Sequence, residues 1–189
     1  MLRAFSHLGR LIPDEGRLFQ SRAAFSNRGE GARPEPMSQI ENRLAAAGIV
    51  LPQPNAPVAN YVAFVRIGQL VHISGQVSLD ASGGIKGVVG EDIDLETAQR
   101  AARLCGLSLL AQMRAACEGD LDRVVRVVKL GGFVQAGPGF FEIPKVINGA
   151  SDLMVEAFGD AGRHARSAVG VYRLPMNFAV EVDAVVAIS

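Results

Sequence analysis

The chain has 189 residues, 49% of them hydrophobic, which is the length of one domain with enough apolar material for a core. Its 19 basic residues balance 19 acidic ones, so it lacks the basic footprint of a nucleic-acid binder. No run of about 18 apolar residues occurs, which excludes a helical membrane span.

Composition changes near Met37. Residues 1–36 carry six arginines and four acidic residues among scattered Ser, Gly and Pro, and they end in Gly-Glu-Gly-Ala-Arg-Pro-Glu-Pro. That ending reads as linker. Leu2, Phe5, Leu8 and Leu11, interleaved with Arg3 and Arg10, would suit a short amphipathic helix of transit-peptide type. Asp14, Glu15, Glu30 and Glu35 do not suit an acid-poor presequence, and no secretory apolar stretch follows the basic start. Residues 1–36 are therefore expected to be a disordered tail, or a stretch ahead of a true start at Met37. Organelle targeting is the alternative. Residues 37–189 are expected to form the folded domain.

Ser38-Gln-Ile-Glu41 has the form of a capping box and opens a short amphipathic helix through Ile40, Leu44 and Ala47. Three prolines within 51–57 then make an extended connection, because proline lacks an N–H and restricts the residue before it. Residues 61–66 and 70–74 read as two strands of a hairpin turning over Ile67-Gly68-Gln69. The glycine-rich loop 81–90 has no Gly-Lys-Ser/Thr ending and is no phosphate-binding loop. Asp94 is a good N-cap for the longest helix, over 95–117, whose Ala98, Ala102, Cys105, Leu109, Met113 and Ala116 recur at steps of three and four. Residues 124–130 are β-branched and read as a central strand. A second long helix begins around Pro144, with Ile143, Ile147, Ala150, Met154 and Ala157 on its inner face. Residues 167–174 and 178–188 read as two last strands joined by Pro175-Met-Asn. Two long helices cover only one face of such a sheet, so the other face is expected to be buried by assembly into a closed homo-oligomer.

Cys105 and Cys117 lie twelve apart in one helical stretch, about 18 Å of rise, whereas a disulfide needs Cα atoms within about 7 Å. Reduced thiols, as in a cytoplasmic compartment, fit better. No His/Cys/Asp cluster has metal-ligand spacing and no Gly-x-Ser-x-Gly elbow is present, so neither a metal nor a cofactor is implied. His72 alternates with Val71 and Ile73 and reads as a packed or partly exposed strand histidine, while His164, in a loop just before a strand and close to Arg166, is either at the mouth of a site or a solvated loop histidine. Arg166, where a loop enters a strand, is either a solvated strand end or a planar fork able to hold a carboxylate through two parallel hydrogen bonds. Glu181 alternates with Val180 and Val182, and so faces the opposite side of its strand; it is either a solvent-face residue or a carboxylate that orients water.

Three segments together resemble the RidA family of enamine/imine deaminases, also called L-PSP "endoribonucleases". They are Asn60-Tyr61-Val62 with Gly68 and Ile73-Ser74-Gly75-Gln76; Val146-Ile-Asn148 through Glu156-Ala-Phe158; and Ala165-Arg166-Ser167-Ala168-Val169 with Leu174-Pro175 and Val180-Glu181-Val182-Asp183-Ala184. The likeness covers about 37–189 and fits a longer bacterial subgroup. It implies an α+β, chorismate-mutase-like fold, with a mixed sheet carrying two long helices on one face, assembled as a homotrimer with clefts between subunits. It implies that Arg166 grips a substrate carboxylate, that Glu181 serves the hydrolytic water, and that Tyr61, Ser74, Gly75, Asn148 and Ser167 line the cleft. The implied reaction is hydrolysis of 2-imino and enamine acids to 2-keto acids and ammonia; the alternative is a non-catalytic sensor of small carboxylates. RNA cleavage is disfavoured by the neutral charge and the 6% aromatic content. The chain departs from many family members at Ala168, often cysteine, and at Gly170, often larger or acidic; both positions bear on pocket shape.

Overall fold

The computed structural model describes residues 38–54 and 60–189; the expectation for residues 1–36 lies outside them. The elements in chain order are α1 (Gln39–Ala46), β1 (Phe64–Ile67), β2 (Leu70–Val77), α2 (Leu95–Ala116), β3 (Val124–Gln135), α3 (Ile143–Phe158), β4 (Ala165–Val171) and β5 (Val180–Ile188). The five strands form one mixed sheet in the order β1-β2-β5-β3-β4. Only β3 and β4 are parallel; α3 is the crossover between them. The remaining neighbours run antiparallel.

The local signals of the sequence account for most of these elements. Ser38 caps α1 with both arms of the capping box. The β1–β2 hairpin closes with Ile67 opposite Leu70. The Asp94 side chain accepts from the Thr97 N–H at 2.7 Å and starts α2. Ala98, Ala102, Cys105, Leu109, Met113 and Ala116 are all buried, as are Ile143, Ile147, Ala150, Met154 and Ala157 of α3. The two helices pack closely enough that a Cβ at Gly149 would stand 2.0 Å from the Gln99 carbonyl oxygen. Both cysteines are free thiols.

Strand boundaries differ from the sequence expectation in every strand: β2 runs on to Val77, β4 ends at Val171 and β5 begins at Val180, and three further differences bear on the site. β1 begins at Phe64, and just ahead of it the Ser74 N–H still donates to the Ala63 carbonyl at 2.9 Å. β3 runs on through Gly131 and Gly132 to Gln135. Those glycines end the β-branched pattern, yet they are roofed by Asp183 and Ile147, whose atoms lie 2.5 and 2.6 Å from where Cβ atoms would be. β4 begins at Ala165, which places Arg166 inside the strand.

Along β5, Val180, Val182, Ala184, Val186 and Ile188 are buried, while Glu181, Asp183, Val185 and Ala187 between them are half-buried. The even-numbered set joins the core with α2 and α3. The odd-numbered set points to the other face, which carries exposed Val65, Ile67, Leu70 and Val169 and no helix among the described residues.

Candidate functional site

Side-chain alternation divides the site residues expected from sequence between the two faces of the sheet. Arg166 pairs with Leu130, a core-facing residue, and so projects towards the helices at the sheet edge. There its Nη1 donates to Asn148 Oδ1 and to Ser151 Oγ, both at 2.9 Å. Asn148 and Ser151 lie three apart on α3, one turn, which brings both to the same flank. Both bonds use Nη1, so the Nε–Nη2 edge of the exposed guanidinium is left for a planar anionic ligand. Behind Ser151 stands half-buried His164: its Nε2 lies 3.1 Å from Ser151 Oγ, and its Nδ1 lies 2.6 Å from the Gly162 carbonyl oxygen. Burial pulls the His164 pKa below the ordinary 6.5; the Gly162 carbonyl opposes this, and the Arg166 charge adds to it.

Glu181 lies on the opposite face. It pairs with Val77 of β2 and Phe133 of β3. Its carboxylate lies over Gly75, where a Cβ would come within 1.9 Å of Oε1, so only glycine fits under it. Burial, and then the negative charge of Asp183, push the Glu181 pKa above the ordinary 4.5. Asp183 accepts from the Gly131 N–H at 3.0 Å. Beside Gly75, the Ser74 hydroxyl donates to the Val62 carbonyl at 2.7 Å and its N–H donates to the Ala63 carbonyl at 2.9 Å, which holds the segment after exposed Tyr61 against β2.

One cluster is therefore Arg166 and Asn148; the other is Glu181, Gly75 and Ser74, next to the Tyr61 segment. Ser167 pairs with Gly131 and falls on the Glu181 face, away from the arginine that precedes it. Arg166 and Glu181 flank β3 at registers three residues apart, so their Cα atoms are separated by roughly 14 Å across the sheet. One chain does not bring the two together. Ser151 and His164 complete the arginine cluster; His164 was open from sequence between a place at the mouth of a site and a solvated loop histidine, whereas Ser151 was missed, the polar pair Asn148 and Ser151 at helical spacing being the available signal.

Comparison with known proteins places residues 41–186 in the family described as "YjgF/chorismate_mutase-like, putative endoribonuclease". Protein TCP17 of Trypanosoma cruzi is 48% identical over 153 residues, covering 80% of this chain and 95% of that protein. A 2-iminobutanoate/2-iminopropanoate deaminase of Dermatophagoides farinae is 28% identical over 135 residues, covering 70% of this chain and 89% of that protein. Among solved structures, the Agrobacterium tumefaciens protein Atu1372, of unknown function, superposes with a TM-score of 0.75 at 48% identity, covering 79% of this chain and 92% of that one.

Proposed function

The chain belongs to the YjgF/RidA family, and on that premise we propose that it hydrolyses short-lived 2-imino and enamine acids, such as 2-iminopropanoate and 2-aminoacrylate, to 2-keto acids and ammonia. The observation that carries this reading is the Arg166 guanidinium, held on one nitrogen by Asn148 and Ser151 with its other edge open to a carboxylate. The similarity to an imine deaminase supports the substrate class. The site is formed between subunits of a homotrimer, Arg166 from one copy meeting Glu181, Gly75, Ser74 and Tyr61 from the next. The opposite-face placement of the two clusters and the uncovered apolar sheet face favour this arrangement.

In the mechanism, the enamine first gains a proton at C3 to become the iminium. Arg166 holds the carboxylate and presents C2. Glu181 accepts a proton as water adds to C2, giving a tetrahedral carbinolamine. Glu181 returns that proton to the nitrogen, the adduct's hydroxyl loses its own proton to water as the C=O bond forms, and the C–N bond breaks to release ammonia. The raised pKa of Glu181 suits a group that must both take and give a proton. Because the uncatalysed reaction already runs in water, positioning plus general-base help of about 10²–10⁴-fold suffices.

The test supplies 2-aminoacrylate or 2-iminopropanoate from an amino-acid-consuming enzyme and follows keto-acid release. Wild type should accelerate it. Arg166→Ala should lose roughly 10–100-fold, about the worth of one hydrogen bond to a charged group. Arg166→Lys should lose nearly as much, since lysine keeps the charge but not the fork. Pyruvate binding without faster release in wild type would favour a carboxylate sensor instead.

A further inference from the structure

We propose that His164 is a positioning residue for the Arg166 clamp, acting through the Ser151 hydroxyl; this deepens the carboxylate-clamp reading and rests on it. The hydrogens along this chain of contacts have one consistent assignment. The Gly162 carbonyl oxygen only accepts, so the His164 nitrogen 2.6 Å from it, Nδ1, carries the proton. In the neutral ring Nε2 is then an acceptor, and the Ser151 hydroxyl 3.1 Å away must donate to it. Arg166 Nη1, 2.9 Å from the same oxygen, only donates, and it meets the lone pairs that this orientation turns towards it. A fixed carbonyl in the turn after α3 thus sets the imidazole tautomer. The imidazole sets the hydroxyl, and the hydroxyl sets the guanidinium plane.

Without His164 the Ser151 hydroxyl becomes a free rotor, and it keeps its lone pairs on Nη1 only part of the time. Asn148 would then be left as the one fixed support of the fork. The loss falls on a contact to the carboxylate, which is present in substrate and transition state alike, so it belongs in KM and in the affinity for the product pyruvate, not in kcat.

The experiment compares the full chain with His164→Ala, His164→Gln, Ser151→Ala and Arg166→Ala. It measures pyruvate binding by calorimetry, KM and kcat with imine supplied in situ, and the His164 tautomer by long-range proton–nitrogen correlation. With three histidines in the chain, the His164 signals are assigned by their absence in His164→Gln. The expected result is the Nδ1–H tautomer in wild type, with KM and the pyruvate Kd raised roughly five- to tenfold in His164→Ala and Ser151→Ala at unchanged kcat. Most of the affinity should return in His164→Gln, whose amide oxygen supplies an acceptor near the Nε2 position. That variant also answers the case in which His164→Ala does not fold. An Nε2–H tautomer overturns the assignment. Unchanged KM and Kd in His164→Ala, with binding lost in Arg166→Ala, overturns the positioning role while leaving the clamp. Unchanged binding in Arg166→Ala overturns the clamp itself, and the positioning role with it.

Discussion

Glu181 is a carboxylate that the fold makes costly to ionise. Its pKa is raised by burial and by Asp183, so the stability it contributes is fully present below pH 4.5 and is lost as pH rises through its raised folded value. Glu181→Gln should therefore melt at a higher temperature than wild type at pH 7, with the difference vanishing below pH 4.5, while turnover falls by about 10²–10⁴-fold. Thermal melts beside the keto-acid assay check both halves. His164 runs in the other direction. Its folded pKa lies below 6.5, so its contribution is present above that value and is lost as the pH falls. The melting advantage of wild type over His164→Ala should narrow on acidification from pH 7 to 5. At this scale the sequence was informative where alternation rules apply: the facing of Glu181 against Val180 and Val182 followed from period two alone. The links from His164 to Ser151 and from Ser151 to Arg166 depend on how α3 docks beside β4, which no local pattern encodes.

Gly75 shows how an element positions a side chain. The irregular register of β2 between Ile73 and Gln76 brings this glycine under the Glu181 carboxylate. Gly75→Ala would put a methyl group 1.9 Å from Oε1, so the carboxylate must move. Displacement on the scale of 1 Å is expected to lower turnover by up to about 100-fold. Steady-state kinetics on the folded variant checks this, and unchanged kcat would mean that the position of Glu181 does not matter. The start of α1 offers a test of stability. Its capping box was legible in Ser38-Gln-Ile-Glu41, but Asp122 also accepts from the Gln39 and Ile40 N–H groups at 2.8 and 2.9 Å. That second cap comes from more than eighty residues away and is invisible to any reading of α1 by itself. Asp122→Ala should lower the unfolding free energy by about 1 kcal/mol in urea titration. The long helices were legible because caps and three-four spacing are local. The extension of β3 was not, since the atoms that make Gly131 and Gly132 acceptable belong to β5 and α3.

For the whole molecule, the decisive feature is a sheet with one finished face. The order of elements already implied that two long helices would leave the other side bare. Among the described residues the structure bears this out and puts exposed Val65, Ile67, Leu70 and Val169 on that side. Which residues meet across the proposed contact was not legible. The resemblance grouped Arg166 and Glu181 in one cleft, whereas pairing in the sheet sends them to opposite faces of one chain. A ring of head-to-tail copies reconciles the two, because each contact then joins the arginine edge of one subunit to the glutamate face of the next. The most direct test is complementation: Arg166→Ala and Glu181→Gln, each impaired alone, are unfolded together in equal amounts, refolded, and assayed for keto-acid release. If each site takes its arginine and glutamate from different copies, random mixing restores about a quarter of wild-type activity. Recovery no greater than the two variants measured separately would mean that both residues serve a site within one chain, and would contradict the shared-site proposal.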